Sequence, residues 1–178
     1  MWILLFSILW AAPYPATSSS ALVSDNSYFY SDWGFEIEKN TIGWLRLVPA
    51  QSDPYFLASY KPILSAPEAR ATLNIRVDPL AERLEKGSSI SLSSYIKHWT
   101  QQFPKLGMDV TKVQYTIKNG KNTAIVDSLN QTTKIQSRQY VFWQDTYAAI
   151  FSCTDRATEF TSSLYSCEKI IESLRWVK

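Results

Sequence analysis

The sequence predicts an α+β domain in which an antiparallel β-sheet is sandwiched by amphipathic helices, and three observations carry that prediction. Short strand-like segments come first, then one helix, then an uninterrupted run of strands, then a second helix. Segregation of this kind favours antiparallel pairing, because strictly alternating strands and helices would build a parallel sheet instead. Both helical segments hold their large apolar residues on one face, so each needs a sheet to cover. Between two of the later strands stands Asn119-Gly120, the strongest short hairpin signal, since both turn positions need positive φ.

The elements can be justified in order. Asp25 to Trp33 is rich in Ser, Asp and aromatic residues with no helical spacing, and reads as a lead-in segment. Gly34 to Glu38 and Trp44 to Val48 read as two short strands around Asn40, Thr41 and Gly43; Phe35 and Ile37 alternate with Glu36 and Glu38, as one buried face demands. Pro49, Pro54, Pro62 and Pro67 then leave room only for a brief edge strand around Tyr55 to Tyr60. Ala71 to Val77 alternates cleanly and is a better strand. Asp78 and Pro79 offer a cap and a first-turn proline for a short helix over Leu80 to Lys86, with Gly87 as its stop.

Ser91 caps the clearest helix, where Leu92, Tyr95, Ile96, Trp99 and Phe103 share a face, and Pro104 and Gly107 end it. Val110 to Ile117 turns through Lys118 to Lys121 into a return strand, Asn122 to Leu129. Lys134 to Trp143 and Thr146 to Cys153 continue the meander, with the β-branched and aromatic content that strands favour. A last helix buries Leu164, Cys167, Ile171 and Leu174 and ends at Trp176 to Lys178. Neither an internal repeat nor a linker divides the chain after residue 21, so residues 22–178 read as a single domain.

Ahead of that domain, Trp2 to Ala12 is an apolar run followed by Pro13, Pro15 and small polar residues, which reads as a signal peptide over residues 1–21 with cleavage before Leu22. The run is shorter than the ~20 residues that cross a bilayer as a helix, so no stable membrane span is expected once it is removed. Neither Lys nor Arg precedes it, so the signal is atypical or its true start lies upstream. The expected location is periplasmic or secreted. A net charge of +2, with Lys and Arg scattered, gives no basic face and excludes nucleic acid as the expected partner.

Several short segments, in this order of elements, resemble the PsbP-like superfamily, which includes the Ran-binding nuclear import factor Mog and small bacterial envelope proteins. They are Gly34 to Ile37 followed by Trp44, Ser94-Tyr95-Ile96, Asn119-Gly120, Tyr147 to Cys153, and Ile170 to Leu174. The resemblance covers most of residues 22–178. It implies an α/β/α sandwich used by non-enzymatic proteins that bind, stabilise or chaperone a protein partner. These are packing and turn positions, so no functional residue is carried over from the family, nor is photosystem or Ran binding.

The search for chemistry gives the same direction. His98 is the only histidine, and no Gly-x-Ser-x-Gly elbow accompanies it, so it reads as an ordinary helix residue rather than a catalytic base. One His and two Cys make a poor zinc set. Glu36 and Glu38 could serve as paired carboxylates, but alternation makes them a solvated strand face. Glu82 and Glu85, interleaved with Arg83 and Lys86, read as surface helix charges. No clustered glycines form a phosphate loop, and no cofactor or metal is expected.

The expected function is a protein-binding or accessory module, acting as a chaperone, assembly factor or inhibitor of an envelope or secreted partner whose identity the sequence leaves unknown. The alternatives are an unrecognised enzyme and a small-molecule binder. Aromatic residues make up 14% of the chain, and most are explained by core packing. An exposed aromatic patch, if one serves the partner, is expected at Tyr28, Phe29, Tyr30 and Trp33 with Tyr55 and Phe56.

Export and an even cysteine count favour a disulfide between Cys153 and Cys167. A helix running unbroken from Asp155 would carry Cys167 too far away, at ~1.5 Å per residue, so the bridge calls for a helix capped at Ser163 with Thr154 to Ser162 looping back. The alternative is two buried free thiols.

Overall fold

A computed structural model describes residues 28–38, 40–41, 43–47, 54–63, 71–80 and 90–177. The expected signal peptide, the cleavage before Leu22, Pro49, Pro67 and all of the short helix except Leu80 lie outside the described residues. The strands are β1 (Tyr28–Ser31), β2 (Phe35–Glu38), β3 (Asn40–Thr41), β4 (Trp44–Leu47), β5 (Phe56–Pro62) and β6 (Thr72–Pro79), then β7 (Met108–Lys118), β8 (Lys121–Asn130), β9 (Ile135–Trp143), β10 (Tyr147–Arg156) and β11 (Arg175–Trp176). The α-helices are α1 (Leu92–Thr100) and α2 (Phe160–Glu172).

Among the described residues, eight strands form one sheet in the order β3-β4-β5-β6-β10-β9-β8-β7, and β1, β2 and β11 form a second, smaller one. Every pairing is antiparallel. Side chains alternate along β10, so Ala149, Phe151 and Cys153 enter one core while Ala148 and Ile150 enter another on the opposite face. The first core is closed by Cys167, Ile170 and Ile171 of α2 together with Phe35 and Ile37 of β2. Tyr95 and Ile96 of α1, with Phe103 from the 3₁₀ turn Phe103–Leu106, close the second.

This corrects the helix-sandwiched α/β/α expectation: the fold is mostly β. Among the described residues, one face is covered by a helix and a small sheet together, and the other by one short helix with the 3₁₀ turn that follows it. Part of the missing weight came from Asn40–Thr41, read as a turn but paired with Leu45 and Trp44, and part from two further segments. Tyr28–Ser31, read as a lead-in, is a strand whose Phe29 is the register partner of Ile37, and Arg175–Trp176, read as a helix end, pairs with Glu36 and Phe35. Neither is long enough to show a periodicity, and the β2–β11 pairing joins the two ends of the domain.

The strand expected at Tyr55 to Tyr60 exists but is not an edge, since β4 and β6 flank it. Its proline, Pro62, is the final strand residue, a position where a missing N–H breaks little of the ladder. Ser91 caps α1 through Ser94 N–H at 3.2 Å, as its sequence position implies. Phe103 belongs to the turn after α1 rather than to its stripe, and Gly107 at φ 69° stops that turn.

The hairpin signal locates the turn correctly. Asn119 (φ 49°) and Gly120 (φ 73°) occupy the two positive-φ positions between β7 and β8. Asn119 has a second task, because its side-chain amide donates to the carbonyls of Ile171 (3.2 Å) and Leu174 (2.9 Å), just where α2 ends. A Cβ at Gly120 would meet nothing within 4 Å, so Gly120→Val should cost only backbone strain, about 1 to 2 kcal/mol. Asn119→Ala should lose a similar amount by removing two hydrogen bonds, although the Ile171 carbonyl still accepts from Leu174 N–H. Each variant is expected to lower the thermal midpoint by several degrees, and an unchanged midpoint for both would remove the turn from the determinants of stability.

Candidate binding surface

Two built regions and one open edge stand out. The first region is a polar clasp between the sheet and α2. Arg138 on β9 donates through Nε and Nη2 to the two carboxylate oxygens of Asp127 on β8, at 2.7 and 2.9 Å. Its Nη1 reaches Glu168 of α2 at 3.4 Å, and the Tyr140 hydroxyl donates to the same carboxylate. Hydrogen bonding to Asp127 holds the Arg138 guanidinium protonated well above its ordinary range. The Lys118 ammonium lies 5.5 Å from the centre of the Tyr140 ring. Every group has a partner inside the protein, which makes the clasp a fastening for α2 rather than a reactive centre.

The disulfide geometry is the second region. Cys153 and Cys167 stand at disulfide distance with Cα atoms 6.1 Å apart, and the structure bonds them. The expected route was wrong in detail: α2 begins at Phe160, not at Ser163, so Cys167 lies well inside the helix. β10 instead runs on for three residues past Cys153 to Arg156, and the chain then reverses into α2. Three strand residues cover roughly 10 Å and the seven helical steps from Phe160 to Cys167 return about the same distance. Buried Asp155 fixes the reversal by accepting from the Ser163 hydroxyl and from Arg156 N–H at 2.7 Å.

The residues singled out from the sequence fall in different places. His98 is exposed on α1. Glu36 faces Arg175 at 3.7 Å, and the backbone of Glu38 bonds Ser173 and Tyr60, so both acids serve the joint between the sheets. Tyr28, Phe29 and Tyr30 lie on β1, with side chains outside the described residues. Trp33 and Tyr55 do meet, with ring centres 6.3 Å apart, and Tyr147 joins them at 5.1 Å from Trp33 while its hydroxyl donates to the Trp33 carbonyl. Phe56 pairs with Arg76 on the α1 side, so alternation turns it away from Tyr55. Among the described residues, no three His, Cys, Asp or Glu side chains converge as a metal site would require.

The open edge was not anticipated. β7 is the last strand of the large sheet, and beyond the bulge between Val110 and Lys112 it extends past the cover of α1. Val113, Tyr115 and Ile117 are register partners of Val126, Ala124 and Asn122, which places them on the α1 face, yet they are 37, 53 and 73% exposed. Lys118 and Lys121 flank a two-residue turn and therefore form a hydrogen-bonded pair. Counting back by twos, Val113, Tyr115 and Ile117 are the residues whose N–H and C=O point outward. Alternation in this stretch looks the same in the sequence whether a helix covers the face or not.

No family model matches the chain, and no curated protein matches it. Among solved structures, the cyanobacterial PsbP (CyanoP) of Synechocystis sp. PCC 6803 matches with a TM-score of 0.56 at 12% identity, covering 89% of this chain and 97% of that one. The fold is PsbP-like. At this identity the likeness concerns fold alone. Protein PA94 of Pseudomonas aeruginosa, a protein of unknown function, also matches, with a TM-score of 0.49 at 12% identity over 78% of this chain and 87% of its own.

Two measurements test this PsbP-like frame. Mass spectrometry of native material alkylated under denaturing conditions should find no free thiol before reduction, and the Cys153→Ala, Cys167→Ala double variant should lose about 3 kcal/mol of stability. Two alkylated thiols in unreduced protein would defeat the bridge. Burial raises the phenol pKa values of Tyr60 and Tyr140 above their usual range, so the unfolded chain gives up these protons first. Stability is therefore complete below pH about 10 and should fall above it, by at most ~1.4 kcal/mol per pH unit for Tyr60. Urea midpoints measured across that window should decline less steeply for Tyr60→Phe, and equal slopes would contradict the assignment.

Proposed function

We propose that this chain is an exported, non-enzymatic module that binds a protein partner through the β7 side of its large sheet. The carrying observation is that Val113, Tyr115 and Ile117 expose apolar side chains and outward backbone groups along the same edge strand. Isolated apolar residues on a surface mean little, but three in register beside an open edge form a continuous strip, and such strips mark interaction sites. The Asn119 bonds tie the β7–β8 turn to the end of α2, which lowers the ordering cost of binding at this edge. Export is supported by the apolar run Trp2 to Ala12 and by the joined cysteines, which persist in oxidising compartments. No helix among the described residues is long and apolar enough to cross a membrane.

The test is affinity capture with mature protein in the exported fraction of its native host, comparing wild type with the triple variant Val113→Thr, Tyr115→Thr, Ile117→Thr. Threonine keeps strand preference, so the thermal midpoint should change little. The variant is expected to lose the co-purifying protein that wild type retains. Identical retention by both proteins, or no retained protein with wild type, would reject the reading. Native material should begin near Leu22, and full-length protein carrying Trp2 in the cytosol would reject export.

A further inference from the structure

We infer that the β7 edge takes an extended segment of its partner as an added antiparallel strand, and that the segment carries three alternate apolar residues flanked by two acidic ones. The inference rests on the proposed binding role and specifies its chemistry. β7 beyond its bulge has two differently built faces. On the α1 side it shows Val113, Tyr115 and Ile117, and on the α2 side it shows Lys112, Gln114, Thr116 and Lys118. A strand laid against this edge has the same alternation, so its residues opposite Val113, Tyr115 and Ile117 meet apolar surface. Those opposite Lys112 and Lys118 meet a positive charge at each end.

The acids already nearby are engaged or out of reach. Asp127, the register partner of Lys112, is held by Arg138, and Glu172 is held by Lys169 at 2.7 Å. Asp109 shares the face of the lysines but lies on the other side of the bulge. Lys118 rests over the Tyr140 ring and is half-buried, which leaves Lys112 as the exposed member of the pair.

The same arrangement disfavours a second copy of this chain. Two β7 strands related by a two-fold axis at Tyr115 would match Val113 with Ile117, but would also set Lys112 directly opposite Lys118 twice. Like charges directly opposite destabilise a strand pair, and lysine on an edge is a common guard against self-association. An acidic partner segment turns both repulsions into attractions. Backbone groups supply the remaining hydrogen bonds, as in other cases of strand addition.

The probe is a capped peptide of seven residues with glutamate at both ends, valine at the second, fourth and sixth positions and threonine between, compared with the same peptide carrying lysine at both ends. Titration of full mature protein by calorimetry, with backbone amide shifts followed by NMR, should show at least tenfold tighter binding of the glutamate peptide and shifts centred on Val113 to Ile117. Lys112→Glu should abolish that preference, and adding Lys118→Glu should reverse it. N-methylation of the central valine, whose N–H would face Tyr115, should eliminate binding, while N-methylation of a threonine, whose N–H would face solvent, should leave it nearly unchanged. Equal binding of the two peptides, indifference to N-methylation, or a concentration-dependent dimer in sedimentation would each overturn strand addition. So would failure of folded wild type to bind either peptide; loss of the native partner in the triple valine, tyrosine and isoleucine variant would still uphold the binding role in that case.

Discussion

The reversal that lays α2 back along β10 is the constraint on which the other long-range contacts depend. β10 overshoots Cys153 by three residues and α2 returns by about the same length, so Cys167 comes to lie beside Cys153. Once the helix is placed in that way, Ile170 and Ile171 drop into the core above Phe151, and Glu168 reaches Arg138 and Tyr140. Its last turn arrives at the β7–β8 hairpin, where Asn119 donates to the carbonyls of Ile171 and, just past the helix, Leu174. The chain then leaves the helix so that Arg175 and Trp176 pair with β2, and the small sheet closes on the same core.

The two faces of the large sheet are stabilised in different ways as a result. Toward α2 the cover is broad and cross-linked, and its aromatic residues interlock: Phe151 contacts Phe35 and Phe142, and Trp176 contacts both of the latter. Toward α1 the cover among the described residues is a helix of nine residues and a 3₁₀ turn, joined by the stack of Tyr95 on Trp99 and the edge contact of Trp99 with Phe103. Such a helix is about 14 Å long and spans few strands at ~4.8 Å spacing. Its shadow reaches Val126 and Ala124 on β8 but does not extend over β7 beyond the bulge. The open edge is thus a consequence of helix length and not of an unusual strand sequence.

Much of the local structure was legible because it follows from neighbours in the chain. Ser91 caps α1, Asn119-Gly120 turns the hairpin, and alternation buries Phe35 and Ile37 just as those residue types require. The candidate surface was far less legible. Trp33 and Tyr55 stand in loop-like sequence surroundings and do pack together, but Tyr147 completes their cluster from a strand more than ninety residues away. Val113, Tyr115 and Ile117 gave the pattern of any half-buried strand, and nothing in that pattern says whether the facing helix is long enough to cover them.

The sequence by itself determined the antiparallel meander and the two amphipathic helices with their approximate positions, because periodicity, capping and turn chemistry act over a few residues. Only the tertiary structure decided that the fold is mostly β, that Tyr28–Ser31 and Arg175–Trp176 are strands, and that β7 is an edge. Strand order and cover are set by pairings between distant segments, such as β2 with β11 and β6 with β10. A segment of two to four residues has no period to display, and its partner is fixed only when the core that both segments bury has been assembled.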